Sequence, residues 1–211
     1  MANIGDILTS PEEGWKRIDD NNSLIVYDTG WSSGINTNCY NKTYHQCQSS
    51  SLGKFTIYIK SKKVRIIGIT YPTYSDKIKC TINDNEVEYF SSQYSNSQYQ
   101  TILYEKTLSK KYNKLSFEMI NATSLGYVLD AIDIDEDGEL VTEEEYIHKP
   151  HKYLIYEDNK FKTMIENRIT EITDYKSEFL ADNNVCITDL NQIVTFIPNL
   201  SNQFIIYKNQ A

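Results

Sequence analysis

The chain has 211 residues and a formal charge of −8, with 40% hydrophobic and 24% charged residues, 8 Gly and 4 Pro. This composition belongs to a folded globular chain and excludes wholesale disorder, collagen-like repeats and linker-like sequence. At this length the expectation is one domain with a smaller appendage.

The opening Met1-Ala2-Asn3-Ile4-Gly5-Asp6 has neither the basic nor the apolar stretch of a leader. No apolar run reaches the ~18 residues of a membrane span, so neither signal peptide nor membrane partner is expected. Residues 6–16 carry helical spacing. From Leu24 onward the pattern becomes short β-runs: Leu24–Tyr27, Phe55–Lys60, Val64–Thr70, Lys77–Ile82, Val87–Phe90, Gln100–Glu105, Lys114–Ile120 and Tyr127–Ile134. They are rich in Val, Ile, Thr, Tyr and Phe and mostly alternate with period two. Asn83-Asp84-Asn85-Glu86 is a tight-turn signature, because Asn and Asp tolerate positive φ. Eight short strands at this spacing predict an all-β sandwich. Seventeen Tyr against 7 Phe and 2 Trp fit half-buried strands and a contact surface, since tyrosine buries a ring while keeping a wet hydroxyl.

At Lys149-Pro150-His151 the pattern changes, and residues 149–211 read as a small α+β appendix to a 1–148 sandwich. Runs at Tyr153–Tyr156, Phe161–Ile165 and Arg168–Ile172 predict a meander. A helical turn at 174–182 and a last strand at Phe204–Tyr207 follow.

The charge is unevenly placed. Nine acidic residues (Asp130, Asp133, Asp135, Glu136, Asp137, Glu139, Glu143, Glu144, Glu145) lie between Asp130 and Tyr146 with no basic residue among them. The remaining 29 − 9 = 20 acidic residues face 21 Lys and Arg. No Lys/Arg cluster offers a phosphate-binding face, which argues against a nucleic-acid partner. Within the strip, Asp133–Glu144 fits the twelve-residue calcium loop, acidic at positions 1, 3 and 5, with Gly138 at 6 and Glu144 at 12. The flanks do not fit, because Tyr127–Ile134 reads as a strand and Pro150 stops any exit helix. A solvated acidic turn is the favoured reading, with no metal and no cofactor expected.

The four cysteines, Cys39, Cys47, Cys80 and Cys186, are too few and scattered for a disulfide framework, so free thiols are favoured. A Cys39–Cys47 bridge in an oxidising medium is the alternative. Cys39, His45 and Cys47 supply three soft ligands where a structural zinc site needs four, so this stretch reads as a Tyr/Asn-rich surface loop. His148 and His151 read as linker residues. No nucleophile elbow, phosphate-cradling loop or zinc-protease motif appears, and the crowded carboxylates do not form a glycosidase pair, so no enzyme is expected.

Gly14-Trp15-Lys16-Arg17-Ile18-Asp19, followed by Ile25-Val26-Tyr27-Asp28-Thr29-Gly30-Trp31, resembles the opening of galactose-binding-like jelly-roll modules. The resemblance continues, in order, through Tyr44-His45, Gly53-Lys54-Phe55, Val64-Arg65-Ile66-Ile67-Gly68 and Ile82-Asn83-Asp84. It closes with Gln100–Glu105 and Tyr127–Ile134, covering about residues 14–137. The subgroup it most resembles occurs in bacteriophage tail and prophage proteins of low-GC Gram-positive bacteria, which also carry short appendices. The departure is Asp84-Asn85 where the family often has Asp-Gly, and it bears on the turn type. The resemblance implies a virion (tail) location, a cell-surface glycan partner, other virion proteins as neighbours and a homo-oligomer within an assembly.

Strand reversal in an antiparallel sandwich sorts the loops by end. Segments 61–63, 83–86, 106–113 and the acidic loop share one end; 48–53, 70–76, 91–99 and 121–126 share the other. The second group holds Tyr71, Tyr74, Tyr94, Asn96, Gln98, Tyr99 and Asn121. Tyrosine rings beside amides suit sugar, whose CH faces stack while hydroxyls pair with side chains. Tyr71, Tyr74, Tyr94, Asn96 and Tyr99 are therefore the candidate ligand residues, against the alternative that Tyr merely covers strand ends. The function expected is non-catalytic recognition of a host cell-surface carbohydrate by a phage tail protein. The alternatives are a virion structural protein whose sandwich mediates assembly, and an accessory carbohydrate-binding module of a glycan-processing enzyme.

Overall fold

Phe55, Ile57 and Ile59 alternate with Thr56, Tyr58 and Lys60, and strand β5 (Lys54–Lys60) turns the first set into an apolar core. The same alternation recurs across the first of two compact units, Met1–Tyr146; the second is Ile147–Ala211. The computed structural model describes residues 2–48, 52–121, 126–147, 151–157, 160–165, 168–172 and 204–210.

The first unit contains two antiparallel sheets. In one, the order is β3 (Trp31–Ile35), β4 (Thr43–Cys47), β11 (Tyr127–Asp135), β6 (Lys63–Thr70) and β9 (Gln98–Thr107), with β1 (Trp15–Asp19) paired to β11. In the other it is β12 (Glu139–Leu140), β5, β10 (Tyr112–Asn121), β7 (Lys77–Ile82) and β8 (Glu86–Phe90), with β2 (Val26–Tyr27) on β5. From β4 to β7, and again from β8 to β12, successive strands alternate between the sheets. That crossing pattern is a jelly roll.

The core between the sheets includes Phe55, Ile57, Ile59, Ile66, Ile78, Leu115, Phe117, Tyr127, Leu129 and Ile132. Phe55 and Phe117 stack with ring centroids 4.7 Å apart, and Trp31 meets Phe55 edge-on at 5.4 Å. The β7–β8 turn has Asn83 at φ 50° and Asp84 at φ 63°, with Asn85 N–H donating to Ile82 O at 3.1 Å. Two central residues of positive φ define a type I′ turn, so Asn83 and Asp84 do what Asp-Gly does elsewhere.

Three sequence expectations are corrected. Residues 6–16 are not a helix. Backbone pairs with β9 outcompete local bonding there: Gly5 N–H donates to Ile102 O, Ile102 N–H to Asp6 O and Leu8 N–H to Gln100 O, all within 3.0 Å. Trp15 and Lys16 already belong to β1. Thr43–Cys47 is a strand rather than a surface loop, while Cys39 and Cys47, both buried, form no disulfide, as the favoured reading of the cysteines has it. The acidic strip is not uniformly solvated, because Asp130 and Asp133 are buried in β11. Its far end forms helix α1 (Glu143–Ile147), which begins with a reciprocal cap: Glu145 N–H donates to Thr142 Oγ1 (3.1 Å) and Thr142 N–H to Glu145 Oε2 (3.0 Å). Three glutamates in its first turn favour the positive end of the helix dipole.

The second unit shows a four-stranded antiparallel sheet in the order β15 (Arg168–Ile172), β14 (Lys160–Ile165), β13 (His151–Glu157), β16 (Phe204–Gln210). The helical turn expected at 174–182 and Cys186 lie outside the described residues, as do residues 49–51 and 122–125 and the side chain of Asn121. Among the described residues, no helix is long and apolar enough to cross a membrane.

Candidate functional site

The two groups of loops separate as strand reversal requires. At one end, Asp135 Oδ2 accepts from Ser61 Oγ (2.9 Å), Asn113 Nδ2 donates to Ser61 O (3.0 Å), and Asn83 Nδ2 donates to Asn113 Oδ1 (3.0 Å). At the other, Ser92 N–H donates to Ser75 O (2.9 Å), Ser75 N–H to Gly126 O (2.9 Å), and Gln93 Nε2 to Pro72 O (2.8 Å). Backbone and short side chains thus knit segments 70–76, 91–98 and 126 into one surface.

Tyr71-Pro72-Thr73-Tyr74 forms a β-turn closed by Tyr74 N–H donating to Tyr71 O at 3.1 Å. Proline at its second position presets the required φ. The turn brings the two rings together, centroids 5.5 Å apart and tilted by 42°. Tyr71 is 39% exposed, and Tyr74 sinks beneath it. Tyr74 packs with Tyr44 and Tyr99 against Cys39, Ile69 and Val128. Val128 alternates with the core residues Tyr127 and Leu129, so this cluster sits on the outer face of the first sheet. Burial pushes the Tyr74 hydroxyl up to about 12, with Tyr44, Tyr99, Cys39 and Tyr71 adding to it. The Cys39 thiol is also pushed up to about 12, by burial and then by Asp130 and Asp20. Both stay protonated, leaving Tyr74 a neutral hydroxyl.

The structure therefore joins Tyr71, Tyr74 and Tyr99 through shared packing. Tyr94 packs instead toward the N-terminal segment, where its ring lies 3.7 Å from the position a Gly5 Cβ would take. Asn96 contributes its backbone: its carbonyl accepts from Thr70 Oγ1 at 3.0 Å, which fixes loop 91–97 to β6, and the residue is exposed. Tyr44 joins this cluster from β4, and a reading of Cys39–Cys47 as a surface loop does not reach it. The signal was available in the alternation of Thr43, His45 and Cys47 with Tyr44 and Gln46.

A second polar cluster lies where β1 ends and β4 begins, opposite an irregularity in the β11–β6 pairing between Leu129 and Ala131. Asp20 accepts from Thr43 Oγ1 (2.8 Å) and pairs with His45 Nδ1 (2.7 Å), while His45 stacks on Tyr27 at 4.2 Å. Asp130 Oδ1 accepts from Tyr40 N–H (2.8 Å); its Oδ2 is buried and accepts no hydrogen bond among the described residues. Burial, then the Asp20 and Asp19 charges, push Asp130 up to about 7 against the hydrogen bond from Tyr40 N–H. Among the described residues, no group of three or more His, Cys, Asp or Glu side chains is placed to hold a metal ion.

No protein-family model matches the sequence, and no curated protein matches it. Among solved structures, the CBM35 module of Cellvibrio japonicus Abf62 shares 11% identity at TM-score 0.44, over 60% of this chain and 96% of that module. The exo-β-1,3-galactanase of Phanerochaete chrysosporium, solved with β-1,3-galactotriose, shares 10% identity at TM-score 0.40, over 57% of this chain. The GH26-CBM35 β-(1,4)-mannanase of Podospora anserina shares 16% at TM-score 0.39, over 59% of this chain. This chain spans only 29% of the galactanase and 28% of the mannanase. By its own strand order, the first unit is a jelly-roll β-sandwich.

Proposed function

We propose that the sandwich is a non-catalytic carbohydrate-recognition module, and that it serves a phage tail by holding a host cell-surface glycan. The observation that carries this reading is the Tyr71–Tyr74 pair: an exposed ring braced on a second, half-buried ring, at a loop end lined with hydroxyls and amides. A braced aromatic face loses little side-chain entropy on stacking against a sugar, and that stacking gives about 0.5–1.5 kcal/mol beyond area burial. Gln93 and the exposed Asn96 supply amide groups beside it. The tail assignment rests on the residue-by-residue resemblance over about 14–137. Weak single sites gain from display in several copies, which a tail assembly provides.

The test is retention on purified cell wall from low-GC Gram-positive hosts, comparing wild type with Tyr71→Ala. Tyr71 is exposed enough that its removal leaves the fold intact, so melting temperature should not change. Retention should fall about tenfold, as loss of one stacking contact requires. Glu143→Ala, at the opposite end, should bind as wild type. Loss in that control with Tyr71→Ala unaffected would place recognition elsewhere.

A further inference from the structure

The end of the sandwich that carries Tyr71 is set apart by what its sequence omits. Segments 31–41, 43–48, 67–75, 91–102 and 126–129 contain no Asp, Glu, Lys or Arg. At the usual charged fraction of about 25%, which this chain matches at 24%, these 42 residues would hold about ten. The fold gathers all five segments. β3, β4, β11, β6 and β9 are neighbours in that order in the first sheet. Ser32 pairs with Gln46, Gln46 with Val128, Leu129 with Gly68, and Gly68 with Thr101, so the charge-free stretches lie side by side.

On the outer face of that sheet, loop 36–42 crosses from β3 over β11 to β9. Tyr40 N–H donates to Asp130 Oδ1 at 2.8 Å, and Gln100 Nε2 donates to Asn38 O at 3.0 Å. Between this loop and the Tyr71–Tyr74 turn lie Tyr44, Ile69 and Tyr99. Tyr44 lies across Gly34, where a Cβ would come 2.3 Å from its Cζ, so a side chain there would displace the ring. The exposed residues of these segments include Thr37, Asn38, Asn41, Gln93 and Asn96, each a neutral donor and acceptor. The charges at the border are engaged or of mixed sign. Asp130 is buried, and Asp20 pairs with His45 Nδ1 at 2.7 Å. Asp28, Lys54 and Lys77 flank strands of the second sheet: Asp28 Oδ2 accepts from Lys54 N–H at 2.8 Å, and Lys77 Nζ lies 4.7 Å from the Tyr89 ring centroid. Lys42 and Asp76, both exposed, are one of each sign.

On the basis that the tyrosine pair is the carbohydrate site, we propose that its ligand is a neutral glycan, without uronic acid or phosphate groups. Sugar hydroxyls both donate and accept, as do the Ser, Thr, Asn, Gln and Tyr side chains that make up the polar part of this surface. A carboxylate or phosphate set here would lose water without meeting an ammonium or guanidinium group, and a desolvated charge without a partner is costly. Exposed surfaces ordinarily intersperse charges of both signs for solubility. Their omission from one contiguous region suits a ligand that charge would not help to hold.

The experiment applies the full chain to purified cell wall from low-GC Gram-positive hosts at about 20 mM and about 500 mM NaCl. Retention should be the same at both, since no ion pair holds the ligand. Ser97 tests charge directly: it is exposed and sits between Asn96, whose carbonyl accepts from Thr70 Oγ1, and Gln98, whose N–H donates to it. Ser97→Lys and Ser97→Asp should be retained within about twofold of each other at low salt, whereas an acidic ligand would favour Ser97→Lys by about fivefold. Polysaccharide freed from the wall with cold hydrofluoric acid, which cuts phosphodiesters, is then split on an anion exchanger. The neutral fraction should compete for retention and the acidic fraction should not. Release at high salt, higher retention of Ser97→Lys, or any competition pattern other than by the neutral fraction alone overturns the proposal. In those cases a loss of retention in Tyr71→Ala still upholds the carbohydrate site. Retention by no wall, or retention unchanged in Tyr71→Ala, is instead the failure of that site and takes the neutral ligand with it.

Discussion

Arg17 and Asp133 form a two-pronged ion pair on the outer face of the first sheet, buried beneath the N-terminal segment, Nε to Oδ1 at 2.7 Å and Nη2 to Oδ2 at 2.9 Å, with side chains 1% and 0% exposed. The pair ties β1 to β11, and Arg17 Nη1 also donates to Leu8 O at 2.7 Å, which holds the N-terminal segment in place. It also determines the fate of the calcium-loop-like sequence. Asp133, its first position, is fully engaged with arginine. Asp135, its third, accepts from Lys62 N–H at 2.6 Å and from Ser61 Oγ at 2.9 Å.

Removing one partner leaves an uncompensated buried charge. Asp133→Ala should therefore destabilise the first unit by about 3–5 kcal/mol in urea unfolding. A paired Arg17→Met, Asp133→Leu replacement should cost clearly less than the single change. Calcium should shift the melting temperature of wild type by no more than magnesium does. A strong, calcium-specific rise would show that the loop captures the ion in spite of the ion pair, since a ligand at ~100 times its dissociation constant adds about 2.7 kcal/mol.

Asp130 predicts a pH dependence with a definite sign. Its folded value is raised from 3.8 to about 7, so the folded state holds a proton that the unfolded chain has released. Stability from this group is therefore fully present below about 3.8 and is lost as pH rises through 7. Asp20 is shifted the same way, by burial first. Asp130→Asn keeps an acceptor for Tyr40 N–H and does not titrate. The difference in melting temperature, wild type minus Asp130→Asn, should fall between pH 4 and 7 and then level off. A difference that is flat or rises over that range would refute the assignment.

Much of this architecture was legible in the chain, for physical reasons that also mark where reading failed. Strands β5, β6, β7, β10 and β11 bury one face in a common core, so period-two alternation announced them. Strands β1, β3 and β4 lie at the edge of the first sheet, where β1 and β4 share one flank of β11, and their polar side chains meet partners that only the fold supplies: Arg17 with Asp133, His45 with Asp20. No local pattern announces those. Helix α1 was readable, since Thr142-Glu143-Glu144-Glu145 is a capping box, but the run of carboxylates drew attention to cations instead. Strand parity placed Tyr71, Tyr74 and Tyr99 at one end correctly, while Tyr94 was drawn aside by the N-terminal segment lying along β9.

The loop end that carries Tyr71 depends on a glycine more than on any tyrosine. Gly126 has φ +95°, and a Cβ there would lie 1.7 Å from the Cys47 carbonyl oxygen and 2.7 Å from its carbon. Its own carbonyl accepts from Ser75 N–H at 2.9 Å, and it bridges Tyr74, so any shift of its backbone moves the tyrosine turn. Gly14 supplies a matched control: φ is +78°, but the nearest atom to its would-be Cβ is the flexible Lys63 Nζ at 3.6 Å. Gly14→Ala should cost only the backbone preference, about 1 kcal/mol. Gly126→Ala adds a backbone collision to that preference and should cost more than the roughly 1–3 kcal/mol of a strained residue alone. Where the variant still folds at low temperature, it should also lose glycan retention, because Tyr74 no longer braces Tyr71. Urea titrations of both variants, with cell-wall retention measured at 10 °C, decide the matter. Equal destabilisation of the two, or full retention by a folded Gly126→Ala protein, would show that the close approach of Gly126 to Cys47 does not set the geometry of the tyrosine pair.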